Sequence, residues 1–178
     1  MRLKASTVIT VFLFSGLILL TQVAAEEGYQ LIAREIHNQY RAIHHVSALN
    51  SDEDLHNRAV MCAQYYATIR TINHSCPFKN GAGENLWAQR GGNPTNDDVA
   101  RNSSNSWYSE EPLHNYNAQF TPATGHFTQM VWKNSLNFGF GVARLNFGFG
   151  LGNMVVGCAL YSPQGNVIGQ FQDNVIPP

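Results

Sequence analysis

The pentapeptide Asn-Phe-Gly-Phe-Gly occurs twice in this chain, at Asn137–Gly141 and Asn146–Gly150, with only Val142 to Leu145 between. Successive side chains of a strand point to opposite faces. A strand of this composition carries aromatic rings on one face and almost nothing on the other. A bare face suits a place where another part of the molecule comes close. The pair therefore reads as a hairpin packed against helices, and so repetitive a pair is open to register slippage. Met154 to Tyr161 follows as an unbroken apolar run, the mark of a strand covered on both faces and central in its sheet. Pro163-Gln164-Gly165-Asn166 reads as a turn, and Val167 to Phe171 as a last short strand.

Upstream the period changes from two to that of a helix. Ile32, Ile36, Tyr40 and Ile43 mark an amphipathic helix from about Tyr29 to His45, with His37, His44 and His45 solvated or packed at its edge. Ser51 with Asp54 resembles a capping box ahead of a second helix, whose apolar stripe is Leu55, Ala59, Cys62, Tyr66 and Ile69. His56, near its start, reads as exposed. Asn73 to Pro77 and Lys79 to Gly83 read as connectors, followed by Glu84 to Trp87 and a loop from Gln89 to Thr95. Thr95, Asp97 and Asp98 open a third helix, where acidic residues suit the dipole. Glu111 to Thr124 has no period. Gly125 to Ser135, GHFTQMVWKNS, reads as a short sticky helix that begins with an imidazole, His126. Helices first and antiparallel strands after, with little room for crossovers, make the fold class α+β. Trp87, Trp107 and Trp132 read as core or cleft-wall aromatics.

The N-terminus stands apart. Arg2 and Lys4 precede the apolar run Val8 to Leu20, and Val23-Ala24-Ala25 forms a small-residue cleavage site. Residues 1–25 are thus expected to be a secretory signal peptide, and 26–178 a single domain. A domain of about 150 residues buries roughly 70% of its unfolded surface. The run is short for a bilayer span, so no stable membrane insertion is expected. The formal net charge of −1 provides no basic field for nucleic acid.

Secretion permits disulfides. Cys62, Cys76 and Cys158 allow three pairings and leave one thiol over, and no two are spaced as in a cysteine zinc motif. Cys62, on a helical stripe, reads equally as a small buried thiol or half of a bridge. Asn73-His74-Ser75 and Asn102-Ser103-Ser104 are glycosylation candidates, although Asn102 falls within the third helix.

Several separate stretches together resemble one family. GHFTQMVWKNS is similar to the first signature of the CAP superfamily of cysteine-rich secretory, antigen 5 and pathogenesis-related proteins. Tyr161-Ser162-Pro163-Gln164-Gly165-Asn166 is similar to its second. Gly83-Glu84-Asn85-Leu86 and Trp107-Tyr108-Ser109-Glu110 match two further elements, and Asn174 to Pro178 resembles the end of single-domain members. The resemblance implies a three-layer α-β-α sandwich, with a small antiparallel sheet between helical layers. It also implies a central cleft lined by two His and two Glu, which here are His74, Glu84, Glu110 and His126, with Glu111 the alternative to Glu110. The family's cysteine pattern does not carry over. Phe140 and Ala159 stand where many members have Cys, and Cys158 is one residue off, on the opposite face of a strand. A large and a small residue fill the same space if they face each other. Cys62 with Cys76 is the candidate bridge. No cysteine-rich module is expected after the domain, and without one the resemblance lends no support to ion-channel blockade.

The tetrad permits three roles. His74 and His126 are the candidate metal ligands, holding zinc or another divalent cation weakly, since two protein ligands are fewer than the usual three. Such binding fades as pH falls through the imidazole range. A Ser-His-Glu hydrolase is the second role, but Ser75 beside His74 is only adjacency along the chain, and no catalytic residue is assigned. The third is a polar cluster that stabilises the cleft. In function, the chain is expected to be a secreted, extracellular, non-enzymatic binding module for a lipid, sterol or peptide. The alternative is a defence or host-interaction protein that meets an extracellular receptor through its surface.

Overall fold

The computed structural model describes residues 26–148 and 152–178; the expected signal peptide and the end of the second Asn-Phe-Gly-Phe-Gly lie outside them. Five α-helices and four strands appear among the described residues. In chain order they are α1 (Gly28–Ile43), β1 (Asn50–Ser51), α2 (Glu53–Ile69), β2 (Gly83–Arg90) and α3 (Asn96–Tyr108). Then follow α4 (Gly125–Met130), β3 (Asn137–Asn146), β4 (Asn153–Ser162) and α5 (Phe171–Asn174). The sheet order is β1-β3-β4-β2. The three long strands are antiparallel, while the two-residue β1 pairs in parallel with β3. The apolar run is indeed central, because β4 lies between β2 and β3.

Each face of the sheet has its own core. On one side Phe138, Phe140, Ala159 and Tyr161 pack with residues of α1, α3 and α4. On the other Leu86, Val156, Cys158 and Leu160 pack with Leu55, Ala59, Cys62 and Tyr66 of α2. This is the α-β-α sandwich. The bare face of β3 lies against α2. A Cβ on Gly139 would collide with the backbone of Leu55 and His56, and one on Gly141 with that of Ala59 and Val60. The glycines are what let a helix backbone lie this close. Phe140 and Ala159 are register partners across β3 and β4, so the ring and the methyl do face each other.

The structure corrects several readings. Asn146 of the second Asn-Phe-Gly-Phe-Gly ends a strand rather than starting one: β3 runs straight through to it, and it pairs with Asn153 of β4. Asn146 Oδ1 then accepts from the Gly148 amide at 2.9 Å, and Gly148 has φ +70°, so Asn146 to Gly148 lead out of β3 with turn geometry. The stretch 167–170 is irregular, and Phe171 begins α5. The α2 cap is Asp52, whose side chain accepts from Leu55 N, rather than Ser51. Thr95 and Asp98 do form a capping box at α3.

The largest correction concerns α1. Its inward stripe is not Ile32-Ile36-Tyr40-Ile43 but the next residue round, Ala33-His37-Arg41-His44, all fully buried. Polar side chains can occupy a core when every donor finds an acceptor. The Arg41 guanidinium donates to the carbonyls of Ser47, Met130, Trp132 and Ser135, at 2.7 to 3.0 Å. Three of those carbonyls belong to the end of GHFTQMVWKNS, so α1 clamps that stretch through one side chain. Burial lowers the Arg41 pKa to about 10. His37 bridges Ala33 O (2.7 Å) and Tyr161 OH (2.8 Å), and His44 bridges Ile176 O (2.7 Å) and Tyr108 OH (2.9 Å). His56 is also buried, between Ser51 Oγ and the backbone of Phe140. Of His37, His44 and His45, only His45 is exposed.

Candidate functional site

β2 builds the floor of a cleft from two neighbouring residues that point to opposite faces. Glu84 turns toward α2, where both its oxygens accept from Tyr66 OH, at 3.2 and 3.1 Å. Its side chain is only 2% exposed. Asn85 turns the other way, and its Nδ2 donates to His126 O (3.0 Å) and Tyr161 OH (3.1 Å). One short strand thus supports both walls.

His74 sits above Glu84, with Nδ1 2.9 Å from Glu84 Oε2. Its backbone is left-handed, φ +61°, which is uncommon for a residue other than glycine. Two contacts hold it there. Asn73 Oδ1 accepts from Ser75 N at 3.2 Å, closing a tight turn around His74, and Lys79 Nζ donates to His74 O at 2.7 Å. The ring remains half exposed, at 55%.

His126 is the second residue of α4 and is held by Glu110, just beyond α3. Glu110 Oε1 lies 2.6 Å from His126 Nδ1, and Oε2 accepts from the amides of His126 and Phe127 at 3.0 and 3.1 Å. One carboxylate therefore orients the imidazole and satisfies two free amides of the helix start. Trp107 lies nearly parallel to the His126 ring, at 6.1 Å between centroids. Glu111 is engaged elsewhere, accepting from Tyr116 OH at 2.8 Å.

His74, Glu84, Asn85, Gly125 and His126 line a cavity of about 240 Å³, closed by Phe120, Pro122 and Asn166. Glu110 stands behind His126 rather than on the wall. In both pairs Nδ1 is taken by a carboxylate, and no hydrogen bond of either Nε2 is present among the described residues. Among the described residues no hydroxyl bonds to either cleft imidazole; Ser75 Oγ donates to Asn73 Oδ1 at 2.6 Å and lies 3.2 Å from Tyr65 OH. The four side chains do not gather into one group of three ligand atoms. Among the described residues only Cys62, Cys76 and Glu84 do so, within 4.8 Å of one another. Cys62 and Cys76 are joined as a disulfide, which removes both as ligands, and Cys158 is free and buried.

Sequence reading missed Asn85, Tyr66 and Asn166. Asn166 Nδ2 donates to Gly125 O at 2.8 Å and its Oδ1 accepts from Thr128 Oγ1 at 2.6 Å, tying the stretch before α5 to α4. Their signal was present, since Asn85 and Asn166 lie inside the motifs that carry the resemblance. Of the two sequons, Asn73 is exposed in a loop; Asn102 is in the middle of α3, with Ser104 fully buried.

A second depression lies on the outer face of α2. Met61, Gln64, Tyr65, Thr68, Ile69 and Phe78 line a mostly apolar groove of about 370 Å³. No helix of the described residues is long and apolar enough to cross a membrane.

Comparison with known proteins places these features. The family described as "CAP: Cysteine-rich secretory protein family" matches residues 34–161. The human Golgi-associated plant pathogenesis-related protein 1 is 40% identical over 149 residues, 80% of this chain and 88% of that protein. Protein PRY2 of Saccharomyces cerevisiae is 34% identical over 79% of this chain, which spans only 39% of that longer protein. Among solved structures, "Crystal structure of NaASP2 with Zn2+" superposes with a TM-score of 0.66 at 21% identity, covering 85% of this chain and 87% of that one. At that identity the likeness shows the fold.

Proposed function

The chain belongs to the CAP family of cysteine-rich secretory proteins, and we propose that it is a secreted, non-enzymatic binding module whose cleft takes a divalent cation between His74 and His126. The observation that carries this reading is the pair of carboxylate-tethered imidazoles, Glu84–His74 at 2.9 Å and Glu110–His126 at 2.6 Å. A metal-ligating histidine almost always presents one nitrogen while its other is fixed by a carboxylate, carbonyl or water. Here both rings are fixed at Nδ1 and keep Nε2 for a ligand. The donor set fits a borderline cation such as zinc. With two protein ligands and water for the rest, binding is weak and exchangeable. A cation there would supply a Lewis-acidic anchor for an anionic group of a ligand. The crystal structure of NaASP2 with Zn2+, a protein of similar fold, supports the reading by analogy.

The hydrogen bonding does not favour a Ser-His hydrolase. A hydrolase of the Ser-His type needs a nucleophile bonded to its base, and the described hydroxyls bond neither cleft imidazole.

The test is zinc titration by calorimetry at neutral pH on wild type and on His74→Ala/His126→Ala. Heat from wild type and none from the double variant is the expected result. No heat from wild type would overturn the metal reading and leave the tetrad as a stabilising polar cluster.

A second reading rests on the α2 groove. Its lining of Met61, Ile69 and Phe78, each about 40% exposed, fits the apolar body of a lipid or sterol better than the small polar cleft does. Displacement of a fluorescent fatty acid or sterol, lost in Phe78→Asp, would support it; equal binding by the variant would place the ligand elsewhere.

A further inference from the structure

Behind the cleft floor lies a sulfur-rich cluster that the two-imidazole reading does not use. Cys62 comes from α2, Cys76 from the connector and Glu84 from β2, and their ligand atoms lie within 4.8 Å of one another. A third thiol, Cys158 of β4, lies 3.9 Å from Glu84 Oε1. No sequence motif announces this group, because 13 residues separate the first two cysteines. The sandwich brings them together: α2 lies on the Cys158 face of the sheet, and Tyr66 OH holds both Cys76 N (2.9 Å) and Glu84. While Cys62 and Cys76 are bonded to each other, neither can bind a metal.

We propose that reduction of the Cys62–Cys76 disulfide turns this cluster into a thiolate site for a soft divalent cation such as zinc. Cys62, Cys76 and Glu84 are its ligands, with water completing the shell; Cys158 lies beside Glu84 but outside this group of three. Two thiolates, a carboxylate and a water match donors that zinc takes in tetrahedral sites. The reductant is an external dithiol. Its two sulfurs become a disulfide as the Cys62–Cys76 bond breaks, and each freed cysteine takes up one proton. The cation then displaces one proton from each ligating thiol. Lys79 Nζ, 3.8 Å from Glu84 Oε2, offsets part of the excess negative charge. The metal replaces one crosslink between α2 and the connector with another. The site is distinct from the imidazole cleft but shares Glu84 with it, since the same carboxylate orients His74.

The experiment is a cobalt titration of the purified chain, oxidised and after reduction by a water-soluble phosphine. That reagent consumes one water and leaves two thiols and the phosphine oxide. The thiolate-to-cobalt charge-transfer band reports the site, and near-ultraviolet circular dichroism reports the fold. One equivalent of cobalt is expected to produce the band in the reduced chain and none in the oxidised chain. The band is expected to persist in His126→Ala and to vanish in Cys62→Ser. A reduced, folded chain without the band would overturn the proposal, as would a band that survives Cys62→Ser. So would a reduced chain that loses its fold and does not regain it with cobalt. Failure of the imidazole reading shows separately, as absent zinc heat in the oxidised protein.

Discussion

His37 makes stability depend on pH in a way that can be worked out beforehand. It is fully buried between Ala33 O and Tyr161 OH, and burial, with Arg41 nearby, lowers its pKa to about 3. In the unfolded chain an imidazole titrates near ~6.5. Below that pH the unfolded state takes up a proton that the folded state refuses, so acid favours unfolding. The contribution is fully present above about pH 6.5 and is lost progressively down to about pH 3. Each pH unit in that window costs about 1.4 kcal/mol, so the loss at pH 5 is about 2 kcal/mol. Other groups titrate too, and burial also lowers the His44 pKa, which acts in the same direction. The assay is therefore a difference: urea unfolding of wild type and His37→Gln, each at pH 7 and pH 5. Wild type is expected to lose about 2 kcal/mol more than the variant over that interval. Equal losses would refute the argument, and with it the neutral, buried role assigned to His37.

Further outcomes follow from other contacts. Arg41→Met leaves four carbonyls without their donor and is expected to cost about 3 kcal/mol or more in urea unfolding; Tm and urea midpoint close to wild type would contradict the clamp. Gly141→Ala forces a methyl into the α2 backbone and is expected to destabilise by about 3 kcal/mol or prevent folding, whereas Gly148→Ala meets no atom of the described residues within 4 Å and is strained by its left-handed φ. Glu110→Gln weakens the orientation of His126 and is expected to lower zinc affinity about 10- to 100-fold in calorimetry; unchanged affinity would remove Glu110 from the site.

The sheet and the central strand were legible because β3 and β4 have patterns that admit few folds. The Phe-Gly alternation required a close neighbour on one face, and α2 is that neighbour. The α1 face was misread because a hydrophobic stripe is only a proxy for burial. Ala33, His37, Arg41 and His44 replaced the isoleucines inside once each polar atom found a partner on a distant element, and no local pattern encodes that. The second Asn-Phe-Gly-Phe-Gly was misread for the converse reason. Its composition equals that of the first copy, but the β3–β4 register runs through to Asn146, and by Gly148 the backbone is already left-handed. The resemblance pointed to His74, Glu84, Glu110 and His126, and the structure joins these as two His–Glu pairs. What it could not supply was the wiring beneath them: Tyr66 under Glu84, Asn85 under His126, and the two amides that Glu110 caps. These contacts lie between elements far apart in the chain. The spacing of the cysteines likewise argued against a sulfur metal site, whereas the fold gathers their sulfurs beside Glu84.

The central claim is that both imidazoles present Nε2 to one cation. Anomalous X-ray scattering at the zinc edge, from crystals of the oxidised protein soaked in zinc, tests it directly. The account predicts one peak in the cleft, about 2.0–2.1 Å from Nε2 of both His74 and His126. A peak on only one of these rings, a peak elsewhere, or none in a well-diffracting soaked crystal would contradict it.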